Sequence, residues 1–98
     1  MPMTYSQFED ELLVAIVAVA DVHPFGQVDV LAVAPTLLPD VKDQWVSAAV
    51  KSYEDSGLVY NVSRGISPRG IRLMITGAGR RLAEALDDAK AFHITYAI

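Results

Sequence analysis

Arg64, Arg69, Arg72, Arg80 and Arg81 fall within Leu58 to Arg81, a stretch of 24 residues with no Asp or Glu. A planar guanidinium forks to phosphate oxygens or enters a minor groove, so such a run points to a polyanion or to an acidic protein surface. The preceding chain has the opposite sign. Met1 to Gly57 carries nine acids against Lys42 and Lys51, a net of −7, and the part after Arg81 adds −2, so the overall charge of −4 conceals a segregated distribution. An acidic protein is repelled by polyanions at long range, yet screening within about 10 Å lets a local basic patch act at moderate salt. Charge also keeps strand edges soluble. Five arginines without one acid exceed what solubility alone requires.

Other chemistries find no residues to carry them. There is no Gly-rich phosphate loop, no serine elbow and no carboxylate pair placed for acid–base work. His23 stands next to Pro24 with no second ligand at helical spacing, and His93 has no partner that sequence assigns. The acids at Glu9–Glu11 and at Asp87 and Asp88 read as solvated helix faces. Neither an enzyme nor a cofactor or metal site is expected.

The 98 residues, 52% of them hydrophobic, suit one domain, 1–98, that buries about two thirds of its unfolded surface. The longest apolar run, Leu12 to Ala20, is nine residues and is preceded by Glu9, Asp10 and Glu11. That is short of the roughly 20 needed to span a bilayer and has the wrong flank for a signal peptide, so a soluble, cytoplasmic protein is expected. The absence of cysteine fits a reducing compartment and removes disulfides and thiolate metal sites.

The elements that would position the arginines follow from periodicity. Thr4 with Gln7 makes a capping box, stapled by Met3 and Phe8, and Ser6 with Glu9 is a competing box. Acids 9–11 would then lie in the first turns, where the helix dipole favours them. The first helix runs to about Ala20 with Phe8, Leu12, Ile16 and Val19 on one face and Leu13, Val17 and Ala20 beside it, broad enough for a central core helix or for a second face that makes a homodimer. Asp21 to Gly26 reads as a loop. Val28 is expected to pair as a one-bridge strand, Asp29 to cap a short helix, and Pro35 to end it. A third helix from Pro39 or Asp40 to Ser56 buries Val46, Ala49, Val50 and Tyr53 and stops at Gly57. Trp45 reads as a core anchor over the second helix or as a functional aromatic. Leu58–Ser63 and Ile71–Thr76 alternate as two strands joined by RGISPRG, a hairpin with Arg64 and Arg69 at its tip and Arg72 on its exposed face. Thr76 caps a last helix whose buried stripe is Ala78, Leu82, Ala85, Leu86 and Ala89. Arg80 and Arg81 oppose the dipole there, so a phosphate, an acidic partner or Glu84 should favour them. The apolar tail, 92–98, is expected to be a docking strand or an oligomer contact.

VSAAVKSYEDSGLVY, a helix that ends in glycine and turns at once into a strand, resembles the recognition helix and wing of the winged helix-turn-helix family. ITGAGRRLAEAL is similar to the junction that follows the wing in such proteins. The resemblance implies a mainly α fold with a small β-hairpin (α+β): a three-helix bundle, a two-stranded wing at about 58–76 and a C-terminal helix at about 77–91. The segment Ala34 to Asp40, with two prolines, is longer than the family's tight turn. The implied activity is binding of double-stranded DNA by a small transcription regulator, as a dimer. Helix three would then present Lys42, Asp43, Gln44, Ser47, Ala48 and Lys51 outward, with Arg64, Arg69, Arg72 and Arg80 supplying further contacts. Gln44 and Ser47 can bond base edges or phosphate, but Asp40 and Asp43 repel the backbone and no arginine is present for bidentate guanine contact, so shape is read more than sequence. The alternative is a protein-interaction module without nucleic acid, its basic wing meeting an acidic partner.

Overall fold

The computed structural model describes residues 3–62 and 71–97, with side chains described up to residue 89. Its elements are α1 (Tyr5–Val22), β1 (Gln27–Asp29), α2 (Val30–Leu37), α3 (Asp43–Asp55), β2 (Val59–Asn61), β3 (Arg72–Ile75) and α4 (Gly77–Ala97). The class is α+β, mostly helical with one small antiparallel sheet in the order β1-β3-β2. No helix among the described residues is long and apolar enough to cross a membrane.

Helix α1 begins where the capping box requires. Thr4 Oγ1 accepts from the Gln7 backbone N–H at 3.2 Å and Gln7 Oε1 accepts from the Thr4 N–H at 3.0 Å. The box at Ser6 and Glu9 is thereby displaced, and the acids at 9–11 fall beyond the first turn, so the dipole does not account for them. Phe8, Leu12, Leu13, Ile16, Val17 and Ala20 are buried, and α1 packs against α2, α4 and the sheet as the central helix of the core. Val19 is 37% exposed, so the buried stripe is carried by Leu13 and Val17 in its place. Trp45 is a half-buried core anchor that ties α3 to α1. Its ring lies 5.6 Å from those of Tyr5 and Phe8, and such aromatic pairs contribute about 0.5–1.5 kcal/mol each beyond area burial.

Strand β1 is longer than one bridge: Gln27, Val28 and Asp29 pair with Met74, Leu73 and Arg72. Asp29 then caps α2, its Oδ1 accepting from the Leu31 N–H at 3.1 Å. Pro35 does not end α2. The exposed ring sits within the helix, while Thr36 Oγ1 donates to the Val33 carbonyl and the Leu38 N–H bonds Ala34 O, which carries the last turn to Leu37. The start of α3 also moves, to Asp43. Pro39 and Asp40 form a turn closed by Val41 N–H to Leu38 O at 3.0 Å, half-buried Val41 leans on the core, and Lys42 occupies the N-cap without a side-chain bond. Residues 38–42 thus separate α2 from α3.

Helix α3 buries Val46, Ala49, Val50 and Tyr53 and stops at Gly57, whose φ of +71° is the left-handed conformation glycine adopts without strain. The Gly57 N–H bonds Glu54 O at 3.0 Å and the Leu58 N–H bonds Tyr53 O at 2.8 Å, a Schellman closure that aims the chain into β2. Strand β2 pairs with β3 in the register Val59 with Ile75, Tyr60 with Met74 and Asn61 with Leu73. Val28, Val59 and Leu73 point inward, and Asp29, Tyr60, Arg72 and Met74 are exposed.

The junction into α4 is held by one hydroxyl. Thr76 Oγ1 lies 2.9 Å from Leu58 O and 2.7 Å from Gly57 O, accepts from the Gly79 N–H at 3.0 Å, and the Thr76 N–H bonds Leu58 O. This close seat turns α4 about its axis relative to the expected stripe. Gly79 and Ala83 are buried and Leu86 half-buried, whereas Ala78, Ala85 and Ala89 are exposed and Leu82 is 40% exposed. A shift of one residue is about 100° of helix rotation, which accounts for the difference. The helix also continues to Ala97, so the backbone of the apolar tail is helical there rather than a docking strand.

Candidate nucleic-acid interface

Gln44, Ser47 and Lys51 stand three and four residues apart on α3, and all three are exposed, opposite the buried stripe. Lys42 is exposed at the N-cap, one residue before the helix. The amide and hydroxyl can donate to and accept from base edges or phosphate, and the ammonium adds a positive charge. Asp43, in the first turn of α3, and Asp40, in the preceding turn, are exposed as well and place negative charge near that end.

Arg72 opens β3 on the outer face of the sheet, directly opposite Asp29 of β1. An opposite-charge pair across two strands stabilises by a few tenths of a kcal/mol. The same arginine lines a surface depression of about 460 Å3 with Asp29, His23 and Phe25, beside the loop that follows α1. That loop is a turn in which the Phe25 N–H donates to His23 Nδ1 at 3.1 Å. Arg64 and Arg69 lie outside the described residues. On the outer face, Tyr60 is 64% exposed and neighbours Met74, the residue two after Arg72. Alternation alone left its direction open. An exposed aromatic beside a cation can stack on a base, which makes Tyr60 an addition to the set.

Arg80 does something else. Its guanidinium pairs with the Asp21 carboxylate at the end of α1, not with Glu84, and both side chains are about half exposed. The pair offsets the poor placement of a cation at a helix N-terminus and ties α4 to α1. Exposed pairs of this kind contribute about 0–1 kcal/mol. Asp21→Ala should therefore lower the urea-unfolding free energy by no more than about 1 kcal/mol, less in high salt, and a larger loss would show that the pair holds the helices in place.

Among the described residues no three His, Asp or Glu side chains are grouped to hold a metal ion. Comparison with protein-family models, with curated proteins and with solved structures finds no match.

Proposed function

We propose that this chain is a small winged-helix DNA-binding protein, a cytoplasmic transcription regulator acting as a homodimer, that grips duplex DNA through phosphate and groove shape. The observation that carries the reading is the exposed polar stripe of α3, Gln44, Ser47 and Lys51, on the helix that leads through Gly57 straight into a hairpin bearing Arg72 on its outer face. That order of helix, glycine and hairpin is what the resemblance to winged helix-turn-helix proteins expects. Asp40 and Asp43 limit the depth to which α3 can approach a phosphate backbone. Affinity then rests on few phosphate contacts and is strongest at low salt.

Titration of a labelled random duplex, followed by anisotropy at about 50 mM and 200 mM salt, tests it. Binding should appear at the lower salt and weaken at the higher, with a log–log slope near −0.9 per phosphate contacted. Lys51→Glu with Arg72→Glu should weaken binding by more than tenfold, and Arg64→Ala with Arg69→Ala should reduce the salt slope. Absence of binding at low salt, or indifference to both double variants, overturns the proposal. The rival reading, a module whose basic hairpin meets an acidic protein surface, draws on Asp43 in α3, on Asp40 just before it and on the net −7 of Met1 to Gly57. Loss of duplex binding in all conditions favours it.

A further inference from the structure

A groove of about 430 Å3 runs between α1 and α4, with Leu37 of α2 in its wall. Val14, Ala15, Leu37 and Leu86 give it a half-buried apolar floor, and Asp10, Glu11 and Asp87 stand on its two sides. Among the described residues, none that lines it is cationic. It shares no residue with the α3 stripe or with the outer face of the sheet, so it stands apart from the DNA-binding reading. Along α1 the lining extends from Gln7 to Ala18, about 16 Å at 1.5 Å per residue, or three turns of helix.

Length and charge select the occupant. A second copy in a two-fold contact would bring this face against itself, setting the exposed Asp10 and Asp87 against the same acids in a chain whose first 57 residues already carry −7. A positively charged partner meets no such repulsion. We propose that the α1–α4 groove docks a cationic amphipathic helix of another protein, whose apolar side chains at i, i+3 or i+4 and i+7 enter the floor while flanking Lys or Arg reach the carboxylates of Asp10 and Asp87. The carboxylates set the sign of the partner and the apolar floor supplies the grip.

The test uses the full chain and two labelled synthetic helices that share one leucine stripe, the first flanked by lysines and the second by glutamates. The lysine helix should bind at least tenfold more tightly. Asp10→Lys with Asp87→Lys, at two exposed positions, should invert that preference, and Ala18→Trp, at the exposed edge of the groove, should weaken the lysine helix at least tenfold with the circular dichroism of the fold unchanged. Equal binding of the two helices, or binding that Ala18→Trp leaves unchanged, overturns the proposal. So does a dimer in sedimentation that Ala18→Trp dissociates, because the groove then belongs to a second copy. Duplex binding by the charge-neutral Ala18→Trp variant should remain at the wild-type level, which separates failure here from failure of the nucleic-acid reading.

Discussion

Gly79→Ala should destabilise the fold by about 3 kcal/mol, in spite of gaining about 1 kcal/mol of helix propensity. A Cβ built on Gly79 falls 2.1 Å from the carbonyl oxygen of Leu58, 3.0 Å from its carbonyl carbon and 3.2 Å from Ile75 Cγ2. The first neighbour is backbone and cannot swing aside. Leu58 O is also fixed from the other direction, because it accepts from the Thr76 N–H at 3.0 Å and lies 2.9 Å from the Thr76 hydroxyl. Relief therefore needs α4 to lift off the start of β2, which breaks the Gly79 N–H to Thr76 Oγ1 bond and uncovers Ala83, 3% exposed at present. For a domain of this size the loss corresponds to a fall in Tm of about 12–24 °C. Thermal melts of Gly79→Ala beside Ala78→Gly decide the matter. Ala78 is exposed one residue earlier on the same turn, so Ala78→Gly reports propensity alone, at about 1 kcal/mol. A Gly79→Ala protein as stable as the wild type would show that α4 does not sit this close to β2. Thr76→Val, which keeps the shape and removes the hydroxyl, should cost about 1–2 kcal/mol on the same assay.

The features that sequence made legible are those whose cause lies within four residues. Thr4 and Gln7 cap each other, Asp29 reaches the N–H two residues on, and Gly57 closes α3 by bonds to Glu54 and, through Leu58, to Tyr53. The polar stripe of α3 was readable for a related reason, since a helix period fixes which side faces away once Val46, Ala49, Val50 and Tyr53 face in. Where cause and effect are distant in the chain, pattern misled. The rotation of α4 is decided by a carbonyl 21 residues earlier, at Leu58, and an alanine-rich helix offers several equivalent stripes until that contact chooses one. Arg80 looked available to a ligand because its partner, Asp21, is 59 residues away on another helix. Val19 looked buried because apolar residues surround it in sequence, whereas the core lies on the side of Leu13 and Val17. The proline at 35 and the capping residues at 39 and 40 were strong local signals that tertiary packing of Leu37, Leu38 and Val41 overrode.

The second large effect is at Tyr53, where α1 and α3 meet. Its ring is 2% exposed and its hydroxyl donates to the backbone carbonyl of Glu9, while the neighbouring Ser52 hydroxyl donates to Glu9 Oε1 at 3.0 Å. Burial, and then the negative charges of Glu9 and its neighbours, push the phenol well above its ordinary value of 10.0. The folded protein therefore holds this proton more tightly than the unfolded chain does. The stabilisation is complete below pH 10 and is lost as pH rises beyond it, because only the unfolded state then releases the proton. One proton corresponds to about 1.4 kcal/mol per pH unit. Tyr5, raised by its own burial and by the hydrogen bond and charge of Glu9, acts in the same direction. Urea unfolding between pH 9 and pH 12 should thus show a steep alkaline decline. Tyr53→Phe should cost about 1 kcal/mol at neutral pH, the worth of one hydrogen bond, and should flatten that decline, so that the variant overtakes the wild type within about one to two pH units above 10. Tyr53→Ala should lose about 3–5 kcal/mol at every pH, because it empties the buried space that the ring fills between α3 and the Glu9 carbonyl of α1. Identical alkaline slopes for wild type and Tyr53→Phe would mean that the hydroxyl is reached by solvent. The α1–α3 contact would then be looser than its hydrogen bonds imply, and the orientation of the exposed α3 stripe would lose its anchor.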